Sequence, residues 1–486
     1  MLKNVKFSAP QALLILASLA LAYFLGQALL NYVHQISLSV PFRYSLDYGE
    51  GPLLDQTLRL IQGDTLYHND FSKPPYTVSN YPPIFLLVQA PFARIFGPAY
   101  WYGRGISMIS ALVTALMIGL TLYTLTGGWL SAVFGGLLLL AFPYIQYWSL
   151  LNRIDALALG LSWVGLFVLV RWNDRKWGTP LAALFLILAI YTRQSYALAA
   201  PAGAFFWLVL NRKYRKAIEL TLEVGGVGLA LFGVINLLTR GGFFLNIVTA
   251  NVNPFSWETV RNYFRELWKN ASLLIVIIIV YLIIERFVSH TRTWSLALPY
   301  LVGATLSALT VGKDGSNVNY MFELAAALSF AGGAALAWVA RNRWARVAVV
   351  AVLAVQMSMM NDWVHSYNDR ITGGTNKEAE VARLFETVRQ TDGIILADEY
   401  MGLLPLAGKH IYYQPFEYKM LSDGGIWDQE PFLKQILAHQ FAAILIYEPP
   451  SWDSFGARWT KFEKPTILSA YQEQDRIADT VVFVPR

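Results

Sequence analysis

The sequence predicts a polytopic α-helical membrane protein with a small α/β domain outside the membrane. Of its 486 residues, 55% are hydrophobic and only 14% are charged, and the mean hydropathy is +0.41. Apolar runs of membrane-spanning length recur over the first 360 residues, with too few charges for a soluble core. Charge density then rises and the apolar runs shorten, which divides the chain into a membrane domain over 1–360 and an external domain over 361–486.

Hydropathy and the Lys/Arg positions predict about eleven transmembrane helices, within a range of about ten to thirteen. They lie near 11–33, 104–126, 129–147, 154–172, 179–194, 196–211, 217–238, 271–288, 295–311, 320–340 and 344–360. Lys3, Lys6 and the clusters RWNDRK, NRKYRK, ERFVSHTR and RNRWAR satisfy the positive-inside rule if the N-terminus is cytoplasmic. The first long loop, 34–103, and the C-terminal domain then lie outside a bacterial inner membrane.

Composition and motifs exclude several classes of function. The net charge of +6 is concentrated in short cytoplasmic loops, where it sets orientation and meets anionic membrane lipids, so no nucleic acid is needed to explain it. The chain has no Cys and therefore no disulfide or thiol chemistry. It has no P-loop, nucleophile elbow or zinc-spaced His set, and His68 beside Asp64 and Asp70 is typical of a solvated turn. No cofactor is predicted, and a divalent metal is left open.

The external segments have patterns of their own. An amphipathic helix is predicted over 52–62 on the membrane surface, ended by Gly63, and a second interfacial, re-entrant or short spanning helix over 82–96. Another amphipathic helix starts at Ser256. The C-terminal domain has predicted strands at 393–398, 410–414, 442–447 and 480–485, and predicted helices at 377–390 and 429–439.

Four acids lie close together after the first predicted helix: Asp47, Glu50, Asp55 and Asp64. Asp55 and Asp64 are typical of acids that favour a helix N-terminus and stay hydrated. Asp47 and Glu50 stand in the segment DYGEG, whose glycines let a ligand approach the backbone and whose Tyr48 can pack against a sugar. At the outer membrane interface, such a carboxylate can act as a general base that takes the proton from an attacking hydroxyl.

Cations in the outer loops predict an anionic ligand in the same region. They are Arg59, Lys73, Arg104, Arg153, Arg193, Arg240 and Lys313. A phosphate about 4 Å from one of them would gain on the order of 4 kcal/mol at an effective dielectric constant of about 20. The alternative for each cation by itself is a lipid head group or an ion pair, such as Arg153 with Asp155.

The order of these motifs resembles the membrane-embedded GT-C glycosyltransferases, especially the branch of the protein O-mannosyltransferases and the lipid A aminoarabinose transferases. The acidic motif is followed by a juxtamembrane helix that leads through Leu60 and Gly63 to Tyr67, and then by NYPPIFLLVQAPFARIFGP before Arg104. The segments SLLNRIDALALGLSW, IYTRQSYAL and GSNVNYMFELAAAL are also similar to later membrane segments of that family.

The resemblance implies an inverting transferase that moves a sugar from a polyprenyl-phosphate donor to a hydroxyl acceptor on a lipid, glycan or protein. Asp47 is the implied base and Glu50 the second candidate. Phosphate-binding cations are implied among Arg59, Lys73, Arg104 and Arg193. Candidates for the substrate pocket are Tyr48, Tyr81, Arg153, Arg240 and Lys313. The sequence departs from the family pattern in two places. The adjacent Asp-Glu pair of the family is separated here as DYGE, and the KPP motif of the family can be matched either at Lys73 or by YPP at Tyr81.

Two other classes of protein would use the same residues differently. A flippase or transporter for lipid-linked sugars would bind the anion without breaking a bond, but such proteins place charges or broken helices near mid-membrane and have paired halves. This sequence crowds its charges into the outer loops and has no visible repeat. A noncatalytic envelope assembly protein would use the external domain for docking, and changing Asp47 would leave its activity intact.

Overall fold

The computed structural model describes residues 8–251, 253–288, 292–339, 342–451 and 453–486. Lys3, Lys6 and parts of the basic clusters ERFVSHTR and RNRWAR lie outside the described residues. Within the described residues the chain is mostly α-helical, and a small β-sheet lies near its C-terminus. This confirms the predicted fold class.

The membrane domain and the first long loop contain sixteen α-helices within the described residues. They are α1 (Ala9–Ser39), α2 (Glu50–Gln62), α3 (Ile84–Phe96), α4 (Trp101–Thr126), α5 (Trp129–Ala141), α6 (Pro143–Trp148), α7 (Asp155–Trp172), α8 (Gly178–Ile190), α9 (Ala199–Leu210), α10 (Tyr214–Thr221), α11 (Gly228–Leu238), α12 (Gly242–Ile247), α13 (Trp257–Val288), α14 (Trp294–Ala308), α15 (Phe322–Trp338) and α16 (Arg343–Asn376).

The C-terminal domain alternates short helices with four strands in the described part of the chain. They are α17 (Glu378–Gln390), β1 (Ile395–Ala397), α18 (Leu403–Leu406), α19 (Pro415–Asp423), α20 (Glu430–Leu437), β2 (Ala443–Tyr447), α21 (Ser454–Arg458), α22 (Glu463–Ala470), β3 (Tyr471–Ile477) and β4 (Thr480–Pro485). The sheet order is β1-β2-β4-β3. Strands β1 and β2 are parallel, whereas β4 runs antiparallel to both β2 and β3.

Among the described residues, eight helical segments are long and apolar enough to cross a membrane, and four shorter apolar helices accompany them. Each of the eleven predicted spans coincides with helical structure. Three helices are clearly longer than predicted. Helix α1 runs over Ala9–Ser39, beyond both ends of the predicted span 11–33. The amphipathic segment after Ser256 continues into the predicted span 271–288 as α13, with a local break at Ala271. Helix α16 continues past 360 to Asn376, so the change from apolar to polar character falls within one helix.

Long helix pairs build the membrane domain. Helix α1 packs along α16, α4 packs between α5 and α7, and α14 packs between α9 and α15. Small residues permit these close approaches: a Cβ added to Gly136 of α5 would lie 2.6 Å from the Ala115 carbonyl oxygen of α4. Such contacts are typical of membrane helices, which gain stability from tight packing because lipid is as apolar as their side chains.

Helix α2 of the first loop is enclosed by protein instead of lying on the membrane surface. Residues 50–59 of α2 are all buried, because α3, the ends of the membrane helices and the C-terminal domain surround them. Arg59 Nη2 donates to the Ile411 carbonyl oxygen at 2.8 Å, and Asp55 Oδ1 lies 2.7 Å from His410 Nδ1. Asp55 is therefore not the hydrated acid that the sequence pattern suggests, and its carboxylate joins two parts of the chain.

The C-terminal sheet confirms three predicted strands and corrects a fourth. Residues 410–414 form no strand of the sheet; Tyr413 instead makes an isolated parallel bridge with Tyr76 of the first loop. Strand β3 is an edge strand that the pattern did not predict, because five exposed residues separate its buried ends, Tyr471 and Ile477. An edge strand can expose most of its side chains, so its sequence need not alternate apolar and polar residues.

Candidate active site

A cavity of about 380 Å³ lies where the first loop, the membrane domain and the C-terminal domain meet. The first loop contributes the residues before and within α2, and the membrane domain contributes the loops at the same end of its helices. The C-terminal domain closes the remaining wall. Polar and aromatic side chains of the lining include Asp47, Tyr48, Gln56, Asn80, Tyr81, Trp148, Arg153, Lys313, Tyr320, Glu417 and Arg458.

Asp47 presents one fixed and one free carboxylate oxygen. Its Oδ1 accepts a hydrogen bond from the Gly49 N–H at 3.0 Å and lies 3.2 Å from Arg153 Nη1. Its Oδ2 has no hydrogen-bond partner among the described residues. Burial raises the pKa of Asp47 above its ordinary value; Arg153 opposes that rise, whereas the carboxylates of Glu50 and Glu399 add to it. The free oxygen is thus an accessible proton acceptor on an oriented side chain.

Arg153 is the cation nearest to Asp47. Its guanidinium lies over the Trp148 ring at 4.8 Å from the ring centroid, so the aromatic face holds the charge in place. Its Nε is buried and has no hydrogen-bond partner among the described residues. A buried donor in this state costs about 1–3 kcal/mol, and an anionic ligand in the cavity can supply the missing acceptor.

Gly49 leaves the space that Arg153 occupies. A Cβ at position 49 would lie 1.3 Å from Arg153 Nη1, although the backbone there, with φ −81°, suits any residue. We expect Gly49→Ala to fold normally but to reduce activity about 10- to 100-fold, because the guanidinium must leave its contact with Asp47. Steady-state kinetics on both variants check this, with Gly105→Ala as control because a Cβ there meets nothing within 4 Å. Equal activity of the two variants would contradict the assignment.

Glu50, the second predicted base, is fully buried in an ion pair with Arg104. Arg104 Nε donates to Glu50 Oε1 at 2.9 Å and Nη2 donates to Oε2 at 2.7 Å. The remaining N–H groups of Arg104 reach the carbonyl oxygens of Ser39, Phe42 and Tyr44 at 2.6–2.8 Å. All five donors of Arg104 are thereby used. The pair shapes the turn between α1 and α2 that presents Asp47.

Three other predicted cations lie away from the cavity. Arg59 is occupied by Asp55 and the Ile411 carbonyl oxygen. Lys73 is 77% exposed and pairs with Asp70 on the surface. Arg240 is exposed at the end of α11, where its backbone φ is +53°. The structure therefore separates these three residues from the group formed by Asp47, Tyr48, Tyr81, Arg153 and Lys313.

Arg193 lies in a layer directly behind the cavity wall. It pairs with Asp155, and its guanidinium lies 4.3 Å from the centroid of the Tyr320 ring. Asp155 also accepts from Trp148 Nε1 at 2.7 Å, so the pair supports two aromatic walls of the cavity. Lys313 lies in the cavity wall itself and donates to the Asn251 carbonyl oxygen at 2.5 Å. Burial raises the pKa of Tyr81 to about 12, which keeps its hydroxyl a neutral donor.

The C-terminal domain adds residues that sequence reasoning missed. The Tyr48 hydroxyl donates to Glu417 Oε2 at 2.6 Å, and the Arg458 guanidinium lies 4.9 Å from the centroid of the Tyr48 ring. Burial raises the pKa of Glu417. No local signal identifies these residues, because they stand about four hundred positions after Tyr48 and belong to an ordinary α/β pattern.

A second cavity of about 300 Å³ also includes Asp47 in its lining. It lies between the first loop, the end of α16 and the C-terminal domain. Two cations, Arg370 and Lys377, and two aromatic residues, Tyr400 and Tyr447, line it. Asp47 is therefore reached from two sides. Within the described residues, no group of three or more His, Asp or Glu side chains is arranged to hold a metal ion.

Comparison with solved structures shows the same fold. The crystal structure of ArnT from Cupriavidus metallidurans bound to undecaprenyl phosphate aligns with a TM-score of 0.63 and 14% identity, over 95% of this chain and 97% of that chain. The Archaeoglobus fulgidus oligosaccharyltransferase in complex with Zn and sulfate aligns with a TM-score of 0.54 and 11% identity, over 95% and 71% of the two chains. AglB from the same organism, in complex with an inhibitory peptide and a dolichol-phosphate, aligns with a TM-score of 0.51 and 11% identity, over 87% and 69%.

The chain has the fold of these solved structures, and one segment of it matches a glycosyltransferase family model. Residues 80–238 match the family model described as dolichyl-phosphate-mannose-protein mannosyltransferase, which covers the region from just before α3 to the end of α11. No curated protein sequence matches the chain.

Proposed function

We propose that this protein transfers a sugar from a polyprenyl-phosphate carrier to a hydroxyl group of an acceptor, with inversion at the anomeric carbon, on the outer face of a bacterial inner membrane. The observation that carries the proposal is the position of Asp47 between two cavities, with one carboxylate oxygen fixed and the other free. The ArnT structure is bound to undecaprenyl phosphate, and the AglB structure is in complex with a dolichol-phosphate. A polyprenyl phosphate suits the present chain because Arg153 and Lys313 line a cavity at the ends of its apolar helices.

In the proposed transfer, Asp47 accepts the proton that the acceptor hydroxyl loses. The acceptor hydroxyl attacks the anomeric carbon from the face opposite the phosphate, and its proton passes to Asp47 Oδ2. The new carbon–oxygen bond forms while the bond from the anomeric carbon to the phosphate oxygen breaks, and the electron pair of that bond leaves with the polyprenyl phosphate. Attack from the opposite face inverts the configuration. General base assistance of this kind contributes about 10²–10⁴-fold.

The cavity of about 380 Å³ is the side we assign to the donor. Arg153 and Lys313 lie in its wall, whereas Asp155 neutralises the charge of Arg193 behind it. Each of the two wall cations is expected to stabilise a phosphate about 4 Å away by on the order of 4 kcal/mol at an effective dielectric constant of about 20. The charge that develops on the leaving phosphate strengthens these contacts, so they favour the transition state over the bound donor. The acceptor is then assigned to the second cavity.

The pH dependence of the reaction reports on Asp47. Its carboxylate is the active form, and burial raises its pKa, so kcat/KM should fall on acidification at a pH above that expected for an ordinary aspartate, about 3.9. Arg153 lowers this pKa and Glu399 raises it. We therefore expect Arg153→Gln to move the acidic limb to higher pH and Glu399→Gln to move it to lower pH. A limb that stays in place in both variants would assign it to another group.

The proposal is tested with purified protein and a panel of polyprenyl-phosphate sugars labelled in the sugar, together with an envelope fraction as acceptor source. We expect one donor to release free polyprenyl phosphate in proportion to the sugar gained by the acceptor fraction. In sealed vesicles, only those that expose the C-terminal domain should react with added acceptor. Donor that crosses the vesicle membrane without losing its sugar would instead indicate a flippase.

A further inference from the structure

We propose a second lipid site, in the membrane half opposite the catalytic cavity, that binds an anionic glycerophospholipid of that leaflet. The choice of this lipid over the polyprenyl donor rests on the proposed function, whereas the groove and its charge do not. The site is a groove of about 670 Å³ between α1, α5 and the beginning of α16. Helix α1 shows the depth of the groove in the membrane. Its last residue, Ser39, contacts Arg104 beside the active site, whereas residues 18–29, which line the groove, lie further toward the other end of the helix.

The walls of the groove suit hydrocarbon chains. They are mostly apolar, with Leu21, Leu25, Leu29, Phe134, Leu336 and Val350 as examples. Trp129, at the first turn of α5, and Trp344, in the first turn of α16, are 64% and 59% exposed near its mouth. Exposed tryptophans at the ends of membrane helices mark the level of the lipid head groups. The groove therefore runs from the head-group level into the hydrocarbon.

Arg346 supplies a positive charge that favours an anionic lipid in the groove. It lines the groove and has no ion pair or side-chain hydrogen bond within the described part of the chain. It lies one turn into α16, close to Arg343, and the first turn of this helix contains no acid. Helix N-termini carry partial positive charge and normally attract acids, so two arginines here create an uncompensated positive end. A lipid phosphate at the groove mouth would compensate it.

The occupant that best matches these features is a phospholipid of the adjacent leaflet. Its phosphate would lie at Arg346 at the level of the head groups, and its acyl chains would extend along α1 toward the membrane centre. The reacting phosphate of a polyprenyl donor, by contrast, belongs at the cations near Asp47, at the other end of the helices. A donor tail that crosses the whole membrane to fill the groove would place no phosphate at Arg346.

Two substitutions test the charge of Arg346 and the space in the groove separately. Arg346→Gln removes the cation and keeps a polar side chain of similar shape. Gly26→Leu fills the groove from α1, where an added Cβ meets nothing within 4 Å and Gly26 is part of the lining. Gly233→Leu is the matched control, because Gly233 of α11 also has open space around its Cβ but is not part of the groove.

The test is native mass spectrometry of the full-length protein in detergent, after incubation with equal amounts of phosphatidylglycerol, phosphatidylcholine and a polyprenyl phosphate. We expect the wild type and Gly233→Leu to retain phosphatidylglycerol preferentially. Arg346→Gln should reduce this retention about tenfold, the loss of one charged contact, and Gly26→Leu should abolish it. Equal retention of phosphatidylcholine, retention that neither substitution reduces, or polyprenyl phosphate as the lipid lost from both variants would each overturn the proposal.

Discussion

Asp47→Asn is expected to lower kcat by about 10²–10⁴-fold while donor binding is retained. The amide keeps the shape of the carboxylate and an oxygen for the Gly49 N–H, but it cannot take the acceptor proton. The loss should therefore appear in kcat and not as a weaker affinity for the donor. Single-turnover measurements of polyprenyl phosphate release, together with a donor-binding assay, distinguish the two effects.

Asp64→Asn is a suitable control, because Asp64 is an exposed acid of the same loop and does not line either cavity of the site. It should retain full activity. If Asp47→Asn keeps wild-type activity while Glu50→Gln abolishes turnover without loss of stability, the base is Glu50 and our assignment is wrong. A stability measurement belongs in this comparison, because Glu50 is held by Arg104 and its change alters the fold as well.

Arg104→Met is expected to destabilise the protein by about 3–5 kcal/mol, the usual cost of removing one partner from a buried ion pair. The change leaves the Glu50 carboxylate and three carbonyl oxygens buried without their cation. Since the same contacts shape the turn that presents Asp47, activity should fall together with stability. Thermal unfolding in detergent and activity at a low temperature measure the two effects separately.

Two further variants give this prediction its controls. Lys73→Met removes a cation that is 77% exposed, so stability and activity should both remain close to wild type. Glu50→Gln combined with Arg104→Met removes both charges of the buried pair and should recover part of the lost stability. A stable Arg104→Met protein that loses only donor affinity would instead support the phosphate-binding role that the resemblance implies for Arg104.

Local sequence patterns predicted the candidate base Asp47 and several residues that line the cavity with it, but not the side chains with which these residues pair. Asp47 and Tyr48 were predicted from the segment DYGEG, and Arg153 and Lys313 from the cations of the predicted outer loops; the structure brings these four together. The same pattern also selected Lys73 and Arg240, which lie elsewhere. A charge in an outer loop has the same signature in sequence whether it faces a cavity, a lipid head group or another side chain.

The sequence by itself determined the membrane architecture, the helical spans and the small C-terminal α/β domain, because hydropathy and periodicity act over a few neighbouring residues. Only the tertiary structure decided which charges are free to act. It enclosed Glu50 and Arg104 in one ion pair, occupied Arg59 with Asp55, and brought Glu417 and Arg458 to Tyr48 from about four hundred residues away. Such contacts depend on how distant segments pack, and packing leaves no signature in the local order of residues.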